Sequence, residues 1–588
     1  MRDYVTPARA GKLFLGTLFV VWAAWLGTLT VPDTHSFGQS PPAIRAKGDQ
    51  SSPSDKLSGS KEANAPLPFG ALYRLGTQPG QPTGGADHTG AINSLVFSPD
   101  GAQLASWGAD ETGPQLRVWD VKTRKELHKL DGRGNMAFTV DGKHLLSRSS
   151  PDVDDEEVLL WDLTKEEVRA RVPIKQMRFV QMLPDRKQCV IVFGSDQAAY
   201  VELATGKITR PIRAPWGVPL ALARDGERLA SVRRGEGGDA KSGETRVYLA
   251  DVPAARDDVG VLLGKQGRLL GADFSPEPVA AENRATEMRL FAAGGYDNAI
   301  HVWDVASRRM LCALVGHTDR VFRVAFSPDS RFVVSTSKDG TIRVWDLAIG
   351  RPSSGGIATM SEAVMVRGHM DYATPVAFSP DGRILATGGS ERDRTIVLWD
   401  FWKLVLGEPE PLVTPTDAQL QALWNDLASD AGGGASLAAV GVLAAVPADS
   451  LRFVQRQIDP FVQEAQKDRI LELIKQLDDS QFAVREAATE ALIRLRRQAE
   501  GLLRTALRET HSPEVYFRLR RILSQGNAAP SLSAAEVRRY RRAVLLLERL
   551  ATPEATKMLE HLSEVFPSPD VNRDAREALA RLKRAAAS

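Results

Sequence analysis

From about residue 70 to residue 400 the chain alternates short β-branched runs with polar breaks rich in Gly, Asp and Ser. Five runs share one ending: LRVWD closes at Asp120, VLLWD at Asp162, IHVWD at Asp304, IRVWD at Asp346 and IVLWD at Asp400. Upstream of most lies a second run that stops in Ser-Pro-Asp, as in VFSPDG, VAFSPDS and VAFSPDG. Four to six apolar or alternating residues bounded by turn formers read as strands. Beyond Pro415 the period changes, and Ile470, Leu473, Ile474 and Leu477 fall on one face of a helix. A third pattern stands at the N-terminus, where Leu13–Val31 is an uncharged apolar run.

The strand-rich part repeats. Trp119 to Trp161 and Trp303 to Trp345 are each about forty-two residues, and the gap from Trp161 to Trp303 is close to three such periods. Several short strands per unit at this period predict the blades of a β-propeller. Two worn repeats fill the gap: AYVELATGK has Val201-Glu202, and VYLADVPAA has Ala250-Asp251, where Trp-Asp stands elsewhere. Seven blades result, the fifth carrying an insertion at Glu277–Glu287. The run Ala71–Thr77 supplies an outer strand that completes the last blade and removes exposed sheet edges.

With its Gly-His, Ser-Pro-Asp and Trp-Asp phrases, this part resembles the WD-repeat family, of a bacterial, membrane-anchored type. The resemblance implies a binding scaffold and, within a blade, a hydrogen-bonded network of a Gly-His histidine, a strand Ser or Thr, a turn Asp and the strand Trp. Blade six offers His317, Ser335, Asp339 and Trp345; blade seven His369, Thr387, Asp393 and Trp399; blade one His88, Ser106, Asp110 and Trp119, with a longer turn. Imidazole can donate and accept at once, and a buried indole N–H needs an acceptor. A Ser, a His and an Asp in one blade also resemble a catalytic triad, but a constellation present in several blades is structural.

The expected fold is therefore an all-β seven-bladed propeller over residues 67–408, followed by an all-α domain over 412–588. In the latter, VREAATEAL and HSPEVYFRLRRIL place Val484 and Val515 in matching positions about thirty residues apart. These phrases resemble a HEAT-type helical repeat, which leaves a HEAT-like solenoid or an ordinary bundle open. Thr552-Pro553-Glu554 opens a later helix with a cap, a first-turn Pro and an acid.

At ~1.5 Å per residue, Leu13–Val31 is long enough to span a bilayer as a transmembrane helix. Arg2, Arg9 and Lys12 precede it and Asp33 comes after it, which keeps the N-terminus cytoplasmic and the bulk of the chain extracytoplasmic, on the periplasmic side. A cleaved signal peptide is the rival; its apolar stretch is shorter, and Ser36-Phe37-Gly38 makes a poor cleavage site. Residues 1–32 are thus anchor, and the polar stretch 33–66 is a disordered tether.

The net charge of +2 gives no whole-chain argument for nucleic acid. Two basic clusters, Arg518/Arg520/Arg521 and Arg538/Arg539/Arg541/Arg542, are nearly balanced by acids and read as solvated helix faces. Cys189 and Cys312, the only cysteines, fall in non-adjacent blades and read as buried thiols. No HExxH, GxSxG, P-loop or paired CxxC is present, and GRGNMA (Gly132–Ala137) lies between strands with no helix to cradle a pyrophosphate. No cofactor or metal is expected. The turns between second and third strands are lengthened at Gly108–Gln115, Ser149–Glu157, Arg233–Thr245 and Ser390–Arg394. Their charged residues, Asp152, Asp154, Asp155, Glu156, Glu157, Arg233, Arg234, Lys241 and Arg392, are the candidate partner-binding groups, because recognition sits on loops carried by a rigid scaffold. Together these features predict a non-catalytic, membrane-tethered scaffold for protein partners. The alternative is an extracytoplasmic propeller enzyme, a hydrolase or lyase working at the channel mouth.

Overall fold

A computed structural model describes residues 67–75, 88 and 90–587 apart from loop segments, of which 233–244 and 277–289 are the longest. Leu13–Val31 and the tether lie outside the described residues. Seven sheets, antiparallel but for one edge strand, succeed one another along the chain, and the first strand of each touches the first strands of both neighbours, closing a ring around a channel. Those inner strands are Ile92–Phe97, Arg133–Phe138, Met177–Met182, Val218–Leu222, Leu269–Phe274, Val321–Phe326 and Ala373–Phe378.

Each repeated phrase has a mechanical role. In Ser-Pro-Asp turns the Asp accepts from the serine hydroxyl and from a backbone N–H, as at Asp100 with Ser98 (2.5 Å) and Ala102 N (3.0 Å). The same turn recurs at Ser327/Asp329 and Ser379/Asp381. The Trp of each Trp-Asp pair is buried between blades, and in blades one, two and five the Asp caps the turn immediately after it. Asp120 and Asp304 accept from Thr123 N and Ser307 N, each at 2.6 Å. Asp400 instead accepts from Lys403 N (2.9 Å) and caps helix α1, Phe401–Leu406, which lies within the 67–408 stretch expected to be propeller. The chain therefore leaves blade seven as helix. Its outer strand comes from the other end, where Ala71–Leu75 pairs antiparallel with Ile396–Asp400.

Blades three and four form without the Trp-Asp signature. Val201 and Ala250 are buried in its place, packed with Cys189 and Ile191 in one blade and Val252 and Leu229 in the other. Apolar filling of roughly the right volume suffices to pair the strands. Cys189 and Cys312 are free and buried, and burial pushes both thiols up to about 12. One element has no sequence signal: Ala358–Met360 adds a parallel fifth strand to blade five, while Val364–Val366 edges blade six.

The helices after α1 are α2 (Asp417–Asp426), α3 (Gly434–Ala445), α4 (Pro447–Val462), α5 (Glu464–Gln476), α6 (Phe482–Arg494), α7 (Arg496–Glu509), α8 (Pro513–Ser524), α9 (Ala534–Leu550), α10 (Pro553–Glu564) and α11 (Pro569–Ala587). They form two groups. Helices α1–α4 and α9–α11 share one core with blades six and seven, in which Phe401 meets Phe332 (5.5 Å) and Phe378 (4.9 Å), and Tyr540 meets Trp424 (5.5 Å) and Phe566 (4.4 Å). Helices α5–α8 have their own core around Leu477, Leu492, Leu503 and Leu519, with α5 on α7 and α6 on α8. Among the described residues no single helix is long and apolar enough to cross a membrane; α3 and α4 approach this only as a pair bent by 116°.

The buried members of the two arginine clusters correct the reading of solvated faces, while Arg520 and Arg521 are exposed on α8 as that reading has it. Arg518 is buried and ties α8 to α6 through Glu486 (2.8 Å) and Thr489 (3.0 Å), with Glu514 at 2.7 Å on its own helix. Arg542 is buried against the propeller: Nε donates to Asp346 at 2.8 Å, and Nη1 donates to Leu427 O (2.9 Å) and Ser429 O (2.6 Å). Beside it Arg541 bonds Asp574 at 2.6 Å and Leu347 O at 3.2 Å. Burial works against the Asp574 carboxylate, but Arg541 and Arg573 hold it down to about 2. Glu548 pairs with Arg331 of blade six (2.9 Å) and Arg581 of α11 (2.6 Å). These groups fix the helical region to the propeller face that carries the Trp-Asp ends, here termed the lower face.

Candidate functional site

The Ser, His and Asp side chains that suggest nucleophilic chemistry are committed inside blade six. Trp345 Nε1 donates to Ser335 Oγ at 2.9 Å, Ser335 Oγ lies 2.7 Å from His317 Nε2, and His317 Nδ1 lies 2.9 Å from Asp339 Oδ2. Indole can only donate and carboxylate only accept, so with a neutral ring one pattern satisfies all three contacts: the serine hydroxyl donates to Nε2, and Nδ1–H donates to the carboxylate. Burial lowers the His317 pKa despite the pull of Asp339, which keeps the ring in that neutral form. Asp339 is opposed by burial, yet hydrogen bonds from His317, Thr341 and Thr318 N hold it far below the ordinary carboxylate range. Blade seven repeats the arrangement, with Trp399 to Thr387 at 2.9 Å, Thr387 to His369 at 2.8 Å and His369 to Asp393 at 3.1 Å. In blade one Ser106 joins Trp119 (2.8 Å) to His88 (2.9 Å), and the side chain of Asp110 lies outside those described.

Two further networks escaped sequence reasoning. In blade two Trp161 donates to Ser147 at 3.0 Å, and Gly132 packs so close that a Cβ there would meet Ser147 Oγ at 2.8 Å. In blade five a histidine on the third strand, His301, reaches the turn Asp297 at 2.7 Å. A histidine two residues before a Trp, with an Asp four residues before it, was the available signal.

The three fullest networks, in blades one, six and seven, coincide with segments 83–120, 308–346 and 364–400, which match the family model "WD domain, G-beta repeat". Three of its blades match WD repeats. Over 118 residues it is 36% identical to WD repeat and SOCS box-containing protein 1 of Danio rerio, covering 20% of this chain and 25% of that protein. It is 29% identical over 172 residues to nuclear distribution protein PAC1 of Arthroderma otae, covering 27% and 36%. It is 23% identical over 273 residues to the WD repeat-containing protein WDS homolog of Arabidopsis thaliana, covering 44% and 47%. The chain thus spans between a quarter and about half of the length of these WD-repeat relatives. All three are eukaryotic, so a bacterial, membrane-anchored type gains no support from them.

The described ends of the second and third strands meet on the face opposite the Trp-Asp ends, here the upper face. The turn of blade one is a continuation of its strands, whose ladder runs to Asp110 and Gly113. In blade two, Ser149 and Glu157 close the loop base through Ser149 N to Glu157 O at 2.9 Å, and Glu157 pairs with Arg171 at 3.0 Å. Asp152, Asp154, Asp155, Glu156, Arg233, Arg234 and Lys241 lie outside the described residues. Arg392 is exposed at the turn of blade seven, beside the buried Asp393. The structure therefore does not bring the candidate loop residues together in one described site.

Deeper in the channel, Asp273 of blade five accepts from Phe326 N of blade six at 2.9 Å. It is reachable by water but enclosed by protein, and burial raises its pKa to about 6 against the pull of Arg224 and the N–H bonds. The folded state therefore holds this proton more tightly than the unfolded chain. The stabilisation is complete below pH ~4 and is lost as pH rises through about 6. Asp273→Asn keeps an acceptor for Phe326 N and removes the charge. Relative to the parent it should gain about 1–3 kcal/mol in urea unfolding at pH 7 over its standing at pH 4. An equal difference at both pH values would show that Asp273 does not titrate in this range.

Proposed function

We propose that the chain is a non-catalytic scaffold that binds a protein partner on the upper face of its propeller. The carrying observation is the seating of the helical region on the opposite face, where Arg542 occupies Asp346 of a Trp-Asp pair. A rigid ring held from below leaves its upper turns as the natural recognition surface. The commitment of His317, Ser335 and Asp339 to a packing network supports the same reading over hydrolase or lyase chemistry, as does the likeness to WD-repeat proteins. In this reading α5–α8 form two HEAT-type hairpins that extend the interaction surface. Leu13–Val31 tethers the assembly to a membrane with its bulk outside the cytoplasm.

Crosslinking and affinity capture from membranes, with the full chain and with the Ser149–Glu157 and Arg233–Thr245 loops shortened, test the proposal. A partner held by the full chain and lost on shortening either loop is the expected result. Turnover at a metal bound by channel acids, with no partner retained, would establish the enzyme instead. Protease added to intact spheroplasts should remove the propeller epitope; its full protection would overturn the placement.

A further inference from the structure

Resting on the upper-face reading, we propose that the upper mouth of the channel is an anion-recognition site, taking an acidic, extended segment of a protein partner whose carboxylates pair with Arg323 inside the channel and with Arg320 and Arg268 at its rim.

Arg323 is the third residue of blade six's inner strand, one turn of the pleat below the mouth. Its Nη1 donates to Phe322 O at 3.1 Å and Leu270 O at 3.4 Å, and among the described residues neither Nε nor Nη2 has a partner. The group is open to channel water yet enclosed by protein, and burial lowers its pKa. An enclosed guanidinium offering uncommitted donors favours a carboxylate, which accepts two parallel N–H bonds. The strand beside it is pressed close at a bare position: a Cβ on Gly271 would meet Phe322 O at 2.5 Å and Arg323 Cα at 2.7 Å. That contact fixes the backbone from which Arg323 projects.

Above it, Arg320 and Arg268 hold one ring between them. Their guanidinium carbons stand 4.1 Å and 5.8 Å from the centroid of Tyr296, and Arg320 Nη1 donates to Tyr296 Oη at 3.2 Å. Cation–π contact keeps two like charges side by side at an exposed position, where carboxylates can approach both. Across the channel the same sign recurs. Arg133 and Arg148 are direct cross-strand partners in blade two, an opposition that costs stability. Burial lowers the Arg148 pKa, and the charges of Arg133 and Arg178 lower it further.

The acids of these elements are engaged elsewhere. Asp319 accepts from Arg320 N at 2.8 Å and faces Lys338 at 3.5 Å, while Asp273 lies two residues deeper with Arg224 as its charge partner. Positive groups around an opening suit a segment that enters it. A nucleic-acid strand needs a groove that tracks its backbone with stacking platforms along the way.

The test uses the purified full chain and fluorescence anisotropy with a labelled twelve-residue Glu-rich peptide, its Gln counterpart and a labelled oligodeoxynucleotide. The Glu peptide should bind and weaken as salt rises, and the Gln peptide should not bind. Arg323→Gln and, separately, the rim variant Arg320→Gln should each weaken the Glu peptide about tenfold. Arg452→Gln on exposed α4 should change nothing. Equal binding of Glu and Gln peptides, or indifference to both channel variants, overturns the proposal. Tighter binding of the oligonucleotide, lost in the same variants, overturns it in favour of nucleic acid. A captured partner lost on loop shortening but retained by Arg323→Gln and Arg320→Gln sinks this inference alone and leaves the scaffold reading intact.

Discussion

Trp345→Ala should destabilise the propeller by about 3–5 kcal/mol, the range for deleting a large aromatic from a packed core. Trp345 is fully buried in a cluster with Val324, Phe326 and Val333, and its ring meets His317 at 6.1 Å. Removing it opens a cavity and takes the N–H donor from Ser335 Oγ, which also serves His317. Networks of this kind lose more than one bond when broken at a shared atom. Trp345→Phe separates the two terms: most of the volume stays, and the missing donor alone costs about 1–2 kcal/mol. Trp161→Ala should cost less than Trp345→Ala, since its serine has glycine packed over it and the ring is 8% exposed. Thermal melts and urea midpoints give the ranking. Unchanged midpoints in Trp345→Ala would remove the network from any account of blade stability.

Arg542→Ala should be comparably severe, about 3–5 kcal/mol, because it leaves the Asp346 carboxylate buried without its guanidinium. Both side chains are 4% exposed, and the same arginine also satisfies Leu427 O and Ser429 O. The damage should appear as loosening of the helical region, read as faster limited proteolysis between α1 and α2. The double variant Asp346→Asn with Arg542→Met should recover part of the loss, since an apolar replacement of a buried ion pair is often near neutral. Recovery stays partial because the two carbonyls still lose their donor. A single variant as protease-resistant as the parent would mean that Arg541, Glu548 and the shared apolar core hold the regions together without it.

The blades were legible because their signals are local. Alternation over five or six residues sets a strand, Ser-Pro-Asp sets its turn, and a period near forty-two residues sets the count. Even the closing strand was readable, as a lone β-run with no blade of its own. Contacts between charges distant in sequence were not readable. Arg542 and Asp346 are separated by 196 positions, and nothing near either residue distinguishes a buried ion pair from a solvated basic face. The channel arginines were missed for a related reason. Arg133, Arg178, Arg268, Arg320 and Arg323 are spread over four blades in the sequence, and only ring closure brings those blades' inner strands around one channel. The acidic and basic loop residues were conspicuous as clusters, yet conspicuousness in sequence did not place them in a common described site.

The strand Ala71–Leu75 gives the molecule a schedule. It leaves the ribosome before any blade, yet its partner Ile396–Asp400 is made more than three hundred residues later. Tyr73 also reaches across to Val121 O of blade one and stacks under Arg124 at 4.3 Å, so a single strand joins the first and last blades. Until translation passes Asp400, this outer strand has no partner to pair with and the ring no latch. Nascent chains therefore carry an open sheet edge through most of their synthesis. Bringing ends so far apart together also places a large chain-entropy cost late on the folding route. Because Asp400 caps α1 directly, the residue that completes the latch also starts the helical region, and biogenesis of the two halves is joined at one peptide bond.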